Sequence, residues 1–373
     1  MHKPHHHLHF LRNKELNELY ISVAIKSFAL SMISIFIPIF LLKLDYSLVN
    51  VLIFYAILNA THLLFTIPAA KISSKYGFKH SIFFSIPILI IFYLALYTLE
   101  QIHWPIYLLA VVFGISNALY WIGYHIDFSK FSDKEDRSKE IGIAKVASSV
   151  FQVLGPIVGG LILTFIGFHA VFITVSVLLV ASAIPLFFSK DVHQPFNFSV
   201  KEIFRGQKIK DTLTFIGHGI ESGVSSVIWP IFIFFTILNN FTTLGLISSL
   251  SLLFSLFFVF IVGKFSDVRR RPVLKIGVFL NTIIWGIRFF VKTTFQVFIV
   301  DSFYGVSQTL ISIPFDALSY DKANKSNIVK FILFREIVIQ AGRVVLFLIM
   351  TVFATLTVSF LFGGAGSILY LFF

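Results

Sequence analysis

About twelve apolar stretches of roughly 20 residues follow one another along the chain, each bounded by charged or turn-forming residues. A helix rises ~1.5 Å per residue, so a stretch of this length crosses the ~30 Å hydrocarbon core of a bilayer. The stretches lie near residues 19–42, 47–70, 81–99, 104–125, 139–165, 167–188, 211–236, 241–263, 273–291, 295–318, 328–353 and 356–373. The pattern predicts an all-α polytopic membrane protein with about 12 transmembrane helices.

Composition agrees with a lipid environment. Hydrophobic residues make up 57% of the 373 residues and charged residues only 13%, whereas a soluble domain carries about 25% charged residues. The formal net charge of +12 comes from short basic clusters between apolar stretches, which excludes nucleic acid as the partner. The chain has no cysteine, which excludes disulfides, thiolate metal sites and cysteine nucleophiles.

The distribution of Lys and Arg predicts the orientation. With both termini on one side, 24 of the 30 basic residues fall on that side, three fall on the other side, and three lie within spans. The positive-inside rule then places both termini in the cytoplasm and the chain in the cytoplasmic membrane. The polar N-terminus lacks the short apolar core and cleavage site of a secretory signal peptide. Its histidine cluster is either a weak metal ligand or a basic tail: His2, His5, His6, His7 and His9.

The longest polar interruption divides the chain into two halves of six spans. Matched features recur 189–193 residues apart: Asp127 matches Asp316, Lys145 matches Arg335, and the basic turn at 70–79 matches that at 263–271. Such a repeat predicts two pseudo-symmetric six-helix bundles related by an axis along the membrane normal. The predicted organisation is a His-rich cytoplasmic tail at 1–18, a first bundle at 19–188, a central cytoplasmic loop at 189–210 and a second bundle at 211–373.

The two basic turns resemble the signature turn of the major facilitator superfamily, Gly-x-x-x-Asp-basic-x-Gly-basic-basic, and the resemblance covers nearly the whole chain. The second half matches it with Gly263, Asp267, Arg269, Arg270 and Arg271, although Arg270 stands at the second glycine. The first half keeps Lys75, Gly77 and Lys79 but has Ala70 and Ser74 in place of the first glycine and the aspartate. A carboxylate at such a helix end pairs with neighbouring arginines or caps a helix of the other half, so Asp267 is expected to latch the two halves.

The fifth span is similar to the family motif associated with antiporters. It contains Gly155, Pro156, Gly159 and Gly160, with Phe151 at the first glycine of the motif. Small residues let a neighbouring helix approach closely, and a proline removes one helical hydrogen bond, so this segment is either a bend at a moving interface or ordinary packing. The arginine that the family uses for proton coupling has no counterpart in the fourth span, at 111–118. One motif therefore favours proton antiport and the other does not.

Charges inside the spans are the main site candidates, since an ionisable group at the centre of a helix costs ~2.5–3.5 kcal/mol on insertion scales. Lys26 in span 1 and Glu221 in span 7 lie at matched depths, which predicts an ion pair between the halves. His218 shares a helix face with Glu221 and is a candidate proton carrier. Arg343 in span 11, beside Gln340, suits either an anionic solute or a buried carboxylate.

Further polar and aromatic residues are predicted to line a pocket or to pack between helices. This set comprises Asn59, His62, Trp121, Tyr124, His125, Gln152 and Trp229. Arg288 and Asp301 lie towards the outer side and form a candidate second gate. Arg335 and Glu336 are expected to pair with Asp316 or Asp321.

The resemblance implies secondary active transport of a small solute by alternating access, with proton-coupled efflux as one form, by a monomer that needs no cofactor or metal. The chain lacks the GxxxxGK[ST] loop and so has no ATP motor of its own. Two other classes stay open: a transport-inactive sensor or scaffold, and a lipid-modifying membrane enzyme built around His125 and Asp127. Because two residues separated by one point to different helix faces, the sequence favours the enzyme least.

Overall fold

The computed structural model describes residues 14–131, 137–188, 191, 199–353 and 355–373. The side chains of 14–17, 131, 137–145, 147, 260, 264, 267 and 268 lie outside the description, as does the predicted His-rich tail up to residue 13. Within the described ranges the secondary structure is helical and contains no β-strand.

Eleven helices in the described part are long and apolar enough to cross a membrane. These spans 1–11 are Glu18–Lys43, Leu48–Tyr76, Phe78–Tyr97, Ile106–Lys130, Ser148–Phe165, Phe168–Phe187, Ile209–Leu238, Phe241–Gly263, Arg270–Phe290, Thr294–Asn324 and Ile328–Phe353. A shorter apolar helix, Val358–Phe372, is span 12. The predicted fold class is confirmed.

Spans 1 and 7 are not uniform α-helices. Span 1 joins Lys14–Ser31 to Ile37–Lys43 through a 3₁₀ turn at Ser34–Phe36. Span 7 alternates α-helix at Ile209–Gly223 and Trp229–Ile233 with π-helical turns at Val224–Ile228 and Phe234–Leu238. The remaining α-helices are Leu48–Tyr76, Phe78–Tyr97, Leu99–Ile102, Ile106–Phe131, Arg137–Phe165, Phe168–Ala183, Val200–Phe204, Phe241–Val268, Arg270–Ile287, Thr294–Asn324, Ile328–Phe353 and Val358–Ile368. Single π-turns inside helices are frequent at functional sites, and those of span 7 flank the central cavity described below.

Helix starts on one side of the bundle use side-chain caps. Ser47 accepts from the backbone N–H of Asn50 at the start of span 2, and Asn240 accepts from that of Thr243 at the start of span 8. Thr293 and Gln296 form a reciprocal capping box at the start of span 10. We call the end of the bundle with these caps the opposite side. The other end, which contains the turns after spans 2 and 8, we call the basic side.

Helix packing groups spans 1–6 and spans 7–12, and two large contacts join the groups. Span 5 packs along span 8, and span 2 packs along span 11. Buried apolar side chains form two clusters, each drawing on both halves, one nearer each side. Phe36 and Trp229 belong to the cluster towards the opposite side, and Ile126 and Phe334 to the cluster towards the basic side.

Candidate functional site

A cavity of about 630 Å³ lies between the two halves. Spans 1, 4 and 5 line it from the first half, and spans 7, 8, 9 and 10 line it from the second half. Trp121 and Gln152, both predicted pocket residues, are among the lining side chains. Nine serines also face this central cavity: Ser27, Ser31, Ser34, Ser149, Ser225, Ser248, Ser251, Ser255 and Ser312. The wall therefore combines hydroxyl groups with aromatic rings.

Lys26 is the cation that the first half contributes to the central cavity. Its side chain is buried, and its ammonium group lies 2.9 Å from the centroid of the Tyr120 ring. None of the described ion pairs includes Lys26. A buried ammonium held only by a ring face retains capacity for an anion.

Glu221 lies beside the cavity in a different network. Its Oε1 accepts hydrogen bonds from the Gln308 amide at 2.6 Å, the Tyr304 hydroxyl at 2.8 Å and the Asn281 amide at 3.3 Å. All of these donors belong to the second half, so the predicted ion pair between Lys26 and Glu221 is not present in this structure. Lys26 contacts Tyr120 of span 4, whereas Glu221 contacts side chains of spans 9 and 10.

Arg288 and Asp301 form a pair at the end of the central cavity nearer the opposite side. The guanidinium donates to Asp301 at 3.2 Å, and its carbon lies 4.1–4.3 Å from the ring centroids of Trp229, Trp285 and Tyr304. The Trp229 indole N–H also donates to Asp301, at 2.8 Å. The two residues do pair as expected, but every partner belongs to the second half, so this contact braces that half and does not gate the halves against each other.

A second cavity of about 270 Å³ lies on the basic side of the first. Both cavities have Trp121 and Ser312 in their walls, which makes them neighbouring chambers of one path. The second chamber holds a cluster of ionisable side chains: His125, His218, Asp316, Arg335, Glu336 and Arg343.

Glu336 connects the halves within this chamber. Its carboxylate lies 3.5 Å from Nε2 of His125 and 3.8 Å from Nε2 of His62, and both imidazoles belong to the first half. The other ring nitrogen of His125 is 2.8 Å from the Tyr320 hydroxyl of span 10. All three side chains are nearly inaccessible to solvent. The carboxylate lies within ion-pair distance of both rings, and because the rings belong to the other half, these contacts depend on how the halves are placed.

Two arginines of span 11 lie on either side of Glu336 along the helix. Arg335 donates to Asp316 at 2.8 Å and contacts Glu336 at 3.4 Å, which matches the predicted local pairing. Arg343 donates to Ser222 at 3.1 Å and to Gln340 at 3.3 Å. The predicted residues Arg343 and Gln340 therefore meet in the second chamber, at some remove from the central cavity.

His218 also faces the second chamber. Its Nδ1 is 2.5 Å from the Tyr370 hydroxyl, and its ring stacks on Phe315 with centroids 5.1 Å apart. Although His218 and Glu221 share a helix, these contacts direct the imidazole to spans 10 and 12 and away from the Glu221 network.

The signature turn of the first half is held by an aspartate from the central loop. Asp191 accepts hydrogen bonds from the backbone N–H groups of Lys79, at 3.1 Å, and His80, at 2.9 Å, at the start of span 3. Gly77 has φ +105°, and a Cβ there would overlap the Asp191 carboxylate. The Lys79 ammonium is buried and contacts Glu18 at 2.9 Å, while Lys75 is exposed near the Tyr76 ring. Asp191 thus caps the start of span 3.

In the second half the chain turns within the predicted basic turn at 263–271. The helix continues through Gly263 to Val268, and the chain turns at Arg269. Arg270 pairs with Asp321 at the end of span 10, within the same half. The side chain of Asp267 lies outside the described residues, so its predicted role as a latch stays a prediction. Arg271 is exposed and belongs to a separate basic cavity discussed below.

The glycines of span 5 face two different helices. Gly155 and Gly159 pack against span 1, where a Cβ on Gly159 would lie 2.7 Å from the carbonyl carbon of Met32. Gly160 packs against span 8, where a Cβ would lie 2.6 Å from the carbonyl oxygen of Phe241. Beside it, the backbone N–H of Ile157 donates to Ser249 at 3.0 Å. Pro156 approaches Gly245 of the same span 8. The motif therefore holds helices together both within the first half and between the halves.

Sequence reasoning missed the connecting role of Glu336, and it missed Tyr304 and Gln308 as hydrogen-bond donors to Glu221. The available signal was a carboxylate within a membrane span. The sequence analysis assigned Glu336 only to local pairing beside Arg335 and so did not connect it to the first half. No group of three or more His, Asp or Glu side chains in the described ranges is arranged to hold a metal ion.

The fold and the two neighbouring chambers define the class of this protein: a helical membrane protein whose two halves surround a central cavity. The chain belongs to the Major Facilitator Superfamily, whose family model matches residues 19–205. It is therefore a member of a transporter family and an integral membrane protein. The predicted membership is confirmed.

Two relatives illustrate the similarity. The chain is 24% identical over 261 residues to YqgE of Bacillus subtilis (strain 168), described as an uncharacterized protein; the match spans 64% of this chain and 59% of that relative's length. The fold of the present chain is similar to that in the crystal structure of a bacterial homologue of the iron transporter ferroportin in an outward-facing state. That match has a TM-score of 0.70 at 12% identity and covers 95% of this chain and 97% of the other. At this identity the structural likeness shows the fold alone.

Proposed function

We propose that this chain is a secondary transporter that moves a small amphipathic organic anion across the membrane by alternating access. The observation that carries the proposal is the central cavity of about 630 Å³, which both halves line and on each side of which the halves contact each other. A site at the repeat interface that opens first to one side and then to the other is how inverted and parallel repeats transport solutes.

The contacts at the two ends differ in chemistry. On the opposite side, the Thr164 and Thr242 hydroxyls are 2.8 Å apart, and the rings of Phe36 and Phe168 pack against Phe241. On the basic side, Asn324 donates to the Ser129 carbonyl at 3.1 Å, next to the pair of His125 and Tyr320. Each set joins spans of the first half to spans of the second. Opening either end requires only its own set to separate, which suits two alternating states.

The lining supports the solute class. Aromatic rings and aliphatic side chains favour an apolar body, the serine hydroxyls supply hydrogen bonds, and Lys26 is a cation with no carboxylate among the described ion pairs. Glu221, Arg288 and Asp301 are already held by their own partners. Lys26 therefore supplies the attraction for a negative group on the solute. We do not propose iron as the solute, because the likeness to the ferroportin homologue is limited to the fold.

We also propose that protons drive export and that Glu336 carries them. The carboxylate is buried, contacts one imidazole on each of two spans of the other half, and lies in the chamber that continues the central cavity. Protonation of Glu336 weakens its attraction to Arg335 and to a charged imidazole, so protonation and the separation of the halves are linked. The antiporter-like glycines of span 5 support the same direction of transport.

A solute screen followed by flux tests the proposal. Purified protein is screened by thermal shift against a library of organic anions with matched neutral analogues, since a ligand of the folded state raises apparent stability. Hits are then followed as flux in liposomes with and without a pH gradient. Anions should shift the melting temperature of wild type and of Lys26→Arg, but not of Lys26→Met. Binding without flux would favour the sensor class, and equal binding of neutral analogues would remove Lys26 from the site.

A further inference from the structure

A third cavity of about 570 Å³ lies at the basic side of the second half, away from the transport path. The starts of spans 7 and 9, the end of span 10 and the residues of span 12 surround it. Six cations line it: Lys208, Lys210, Arg271, Lys275, Lys322 and Lys325. Asp211 is the one carboxylate side chain among the lining residues that the structure describes, so the lining side chains carry a net charge of +5.

That carboxylate is already engaged. Lys322 contacts Asp211 at 2.5 Å, and Asp211 is buried beneath it. The neighbouring Asp321 is held by Arg270. The side chains of Lys208, Lys210 and Lys275 are exposed at the mouth, as are those of Arg271 and Lys325. Five cations thus converge on one cavity, and the described ion pairs include none of them.

The floor of the cavity is apolar. Leu274, Phe331 and Tyr370 lie below the cations, and Leu371 and Phe372, about half exposed, continue the apolar surface outwards. Ile209 and Ile276, beside the mouth, expose 70% and 56% of their surface. A cationic rim over an apolar floor at the ends of membrane spans matches a molecule with an anionic head and a hydrocarbon body. A soluble anion would leave this apolar surface without a partner.

We propose that this cavity binds the phosphate headgroup of an anionic phospholipid from the leaflet on the basic side. The two helix N-termini that enter it, at Ile209 and Arg270, add backbone N–H groups and the positive ends of helix dipoles. Basic pockets between the ends of membrane helices are known to hold such headgroups. The bound lipid links spans 7, 9, 10 and 12 and offsets the repulsion among the five cations.

General attraction of a basic face to anionic lipid is the alternative that the experiment must separate. We compare Lys208→Gln/Lys275→Gln with Lys71→Gln/Lys130→Gln, a control that removes two exposed cations from the basic side of the first half. Both variants lose the same charge, but only the first changes the cavity. The full chain in neutral detergent is titrated with dihexanoyl phosphatidylglycerol, dihexanoyl phosphatidylcholine and inorganic phosphate, and binding is followed by melting temperature and native mass spectrometry.

Wild type and the control variant should bind phosphatidylglycerol equally, and neither should bind phosphatidylcholine. The cavity variant should bind phosphatidylglycerol about 25-fold more weakly, since each of the two cations near an anionic headgroup contributes about fivefold. Inorganic phosphate should bind far more weakly than the lipid. Equal loss in both variants would overturn the proposal in favour of a general basic face, and phosphate that binds as tightly as lipid would assign the cavity to a soluble anion. Lys325→Gln, a single exposed change, repeats the test if the double variant is misfolded by circular dichroism.

Discussion

Substitution of Gly160 by alanine should open the opposite side of the bundle. The new Cβ would lie 2.6 Å from the carbonyl oxygen of Phe241 and 3.3 Å from the Cα of Thr242, whereas ordinary contacts begin at 3.4 Å. Both neighbours are backbone atoms, so relief requires spans 5 and 8 to separate by ~0.8 Å. Overpacking of this kind costs about 1–3 kcal/mol. Because the contact joins the two halves, the overpacking destabilises only the state in which the opposite side is closed.

The expected shift in the ratio of open to closed states is therefore about 5- to 150-fold. The chain has no cysteine, so Ser34→Cys, in the wall of the central cavity, gives a single reporter. Its rate of modification by a membrane-impermeant maleimide, added from the opposite side, should rise when Gly160→Ala is present. Oriented vesicles are sufficient, and no solute needs to be known.

The adjacent residue provides a matched control. Gly159→Ala would place its Cβ in overlap with the carbonyl oxygen of Met32 and 2.7 Å from the carbonyl carbon, a tighter clash than at Gly160, but this neighbour belongs to the same half. It should lower the melting temperature without raising the modification rate of Ser34→Cys. In Gly286→Ala the new Cβ has no atom within 4 Å, so this variant should neither lower the melting temperature nor raise the modification rate. If Gly159→Ala and Gly160→Ala accelerate modification equally, the contact between spans 5 and 8 is not the closure.

Three further substitutions test separate parts of the account. Glu336→Gln should abolish the dependence of flux on the pH gradient while the chain still folds, since Arg335 keeps Asp316; unchanged coupling in the liposome assay would exclude Glu336 as the proton carrier. Asp191→Ala removes the acceptor for two backbone N–H groups at span 3 and should cost about 0.5–2 kcal/mol, measured as a lower unfolding midpoint, whereas Glu202→Gln on a neighbouring surface helix should cost less. Arg288→Lys keeps the charge opposite Asp301 but loses the planar contact with three rings, so it should destabilise the chain by about 1–2 kcal/mol; an unchanged melting temperature would contradict the role of stacking.

Spans and family were predictable from the sequence because lipid imposes a strict length and hydropathy on each crossing helix. The predicted span at 241–263 and the structural span Phe241–Gly263 coincide. The predicted span at 356–373 corresponds to the helix Val358–Phe372, which is too short to count among the eleven. Depth in the membrane follows from the position of a residue within a span.

The direction in which a side chain points around the helix axis does not follow from its position in the sequence. The contacts in the candidate site depend on this direction. Lys26 and Glu221 have matched depths, yet the ammonium turns to Tyr120 and the carboxylate to Tyr304 and Gln308. Packing of each helix against its own half decides this direction, and single-sequence patterns do not contain it. Asp191 was missed for a related reason: its partners at span 3 are more than 100 residues away along the chain.

A reversible cross-link between the halves tests alternating access most directly. The hydroxyls of Thr164 and Thr242 are 2.8 Å apart at the closed opposite side, so Thr164→Cys/Thr242→Cys in this cysteine-free chain should form a disulfide. Flux of a solute from the screen should stop when the double variant is oxidised and return when it is reduced, while each single variant transports throughout. If the fully cross-linked protein transports as fast as the reduced protein, the two halves do not need to separate there, and the proposed mechanism is wrong.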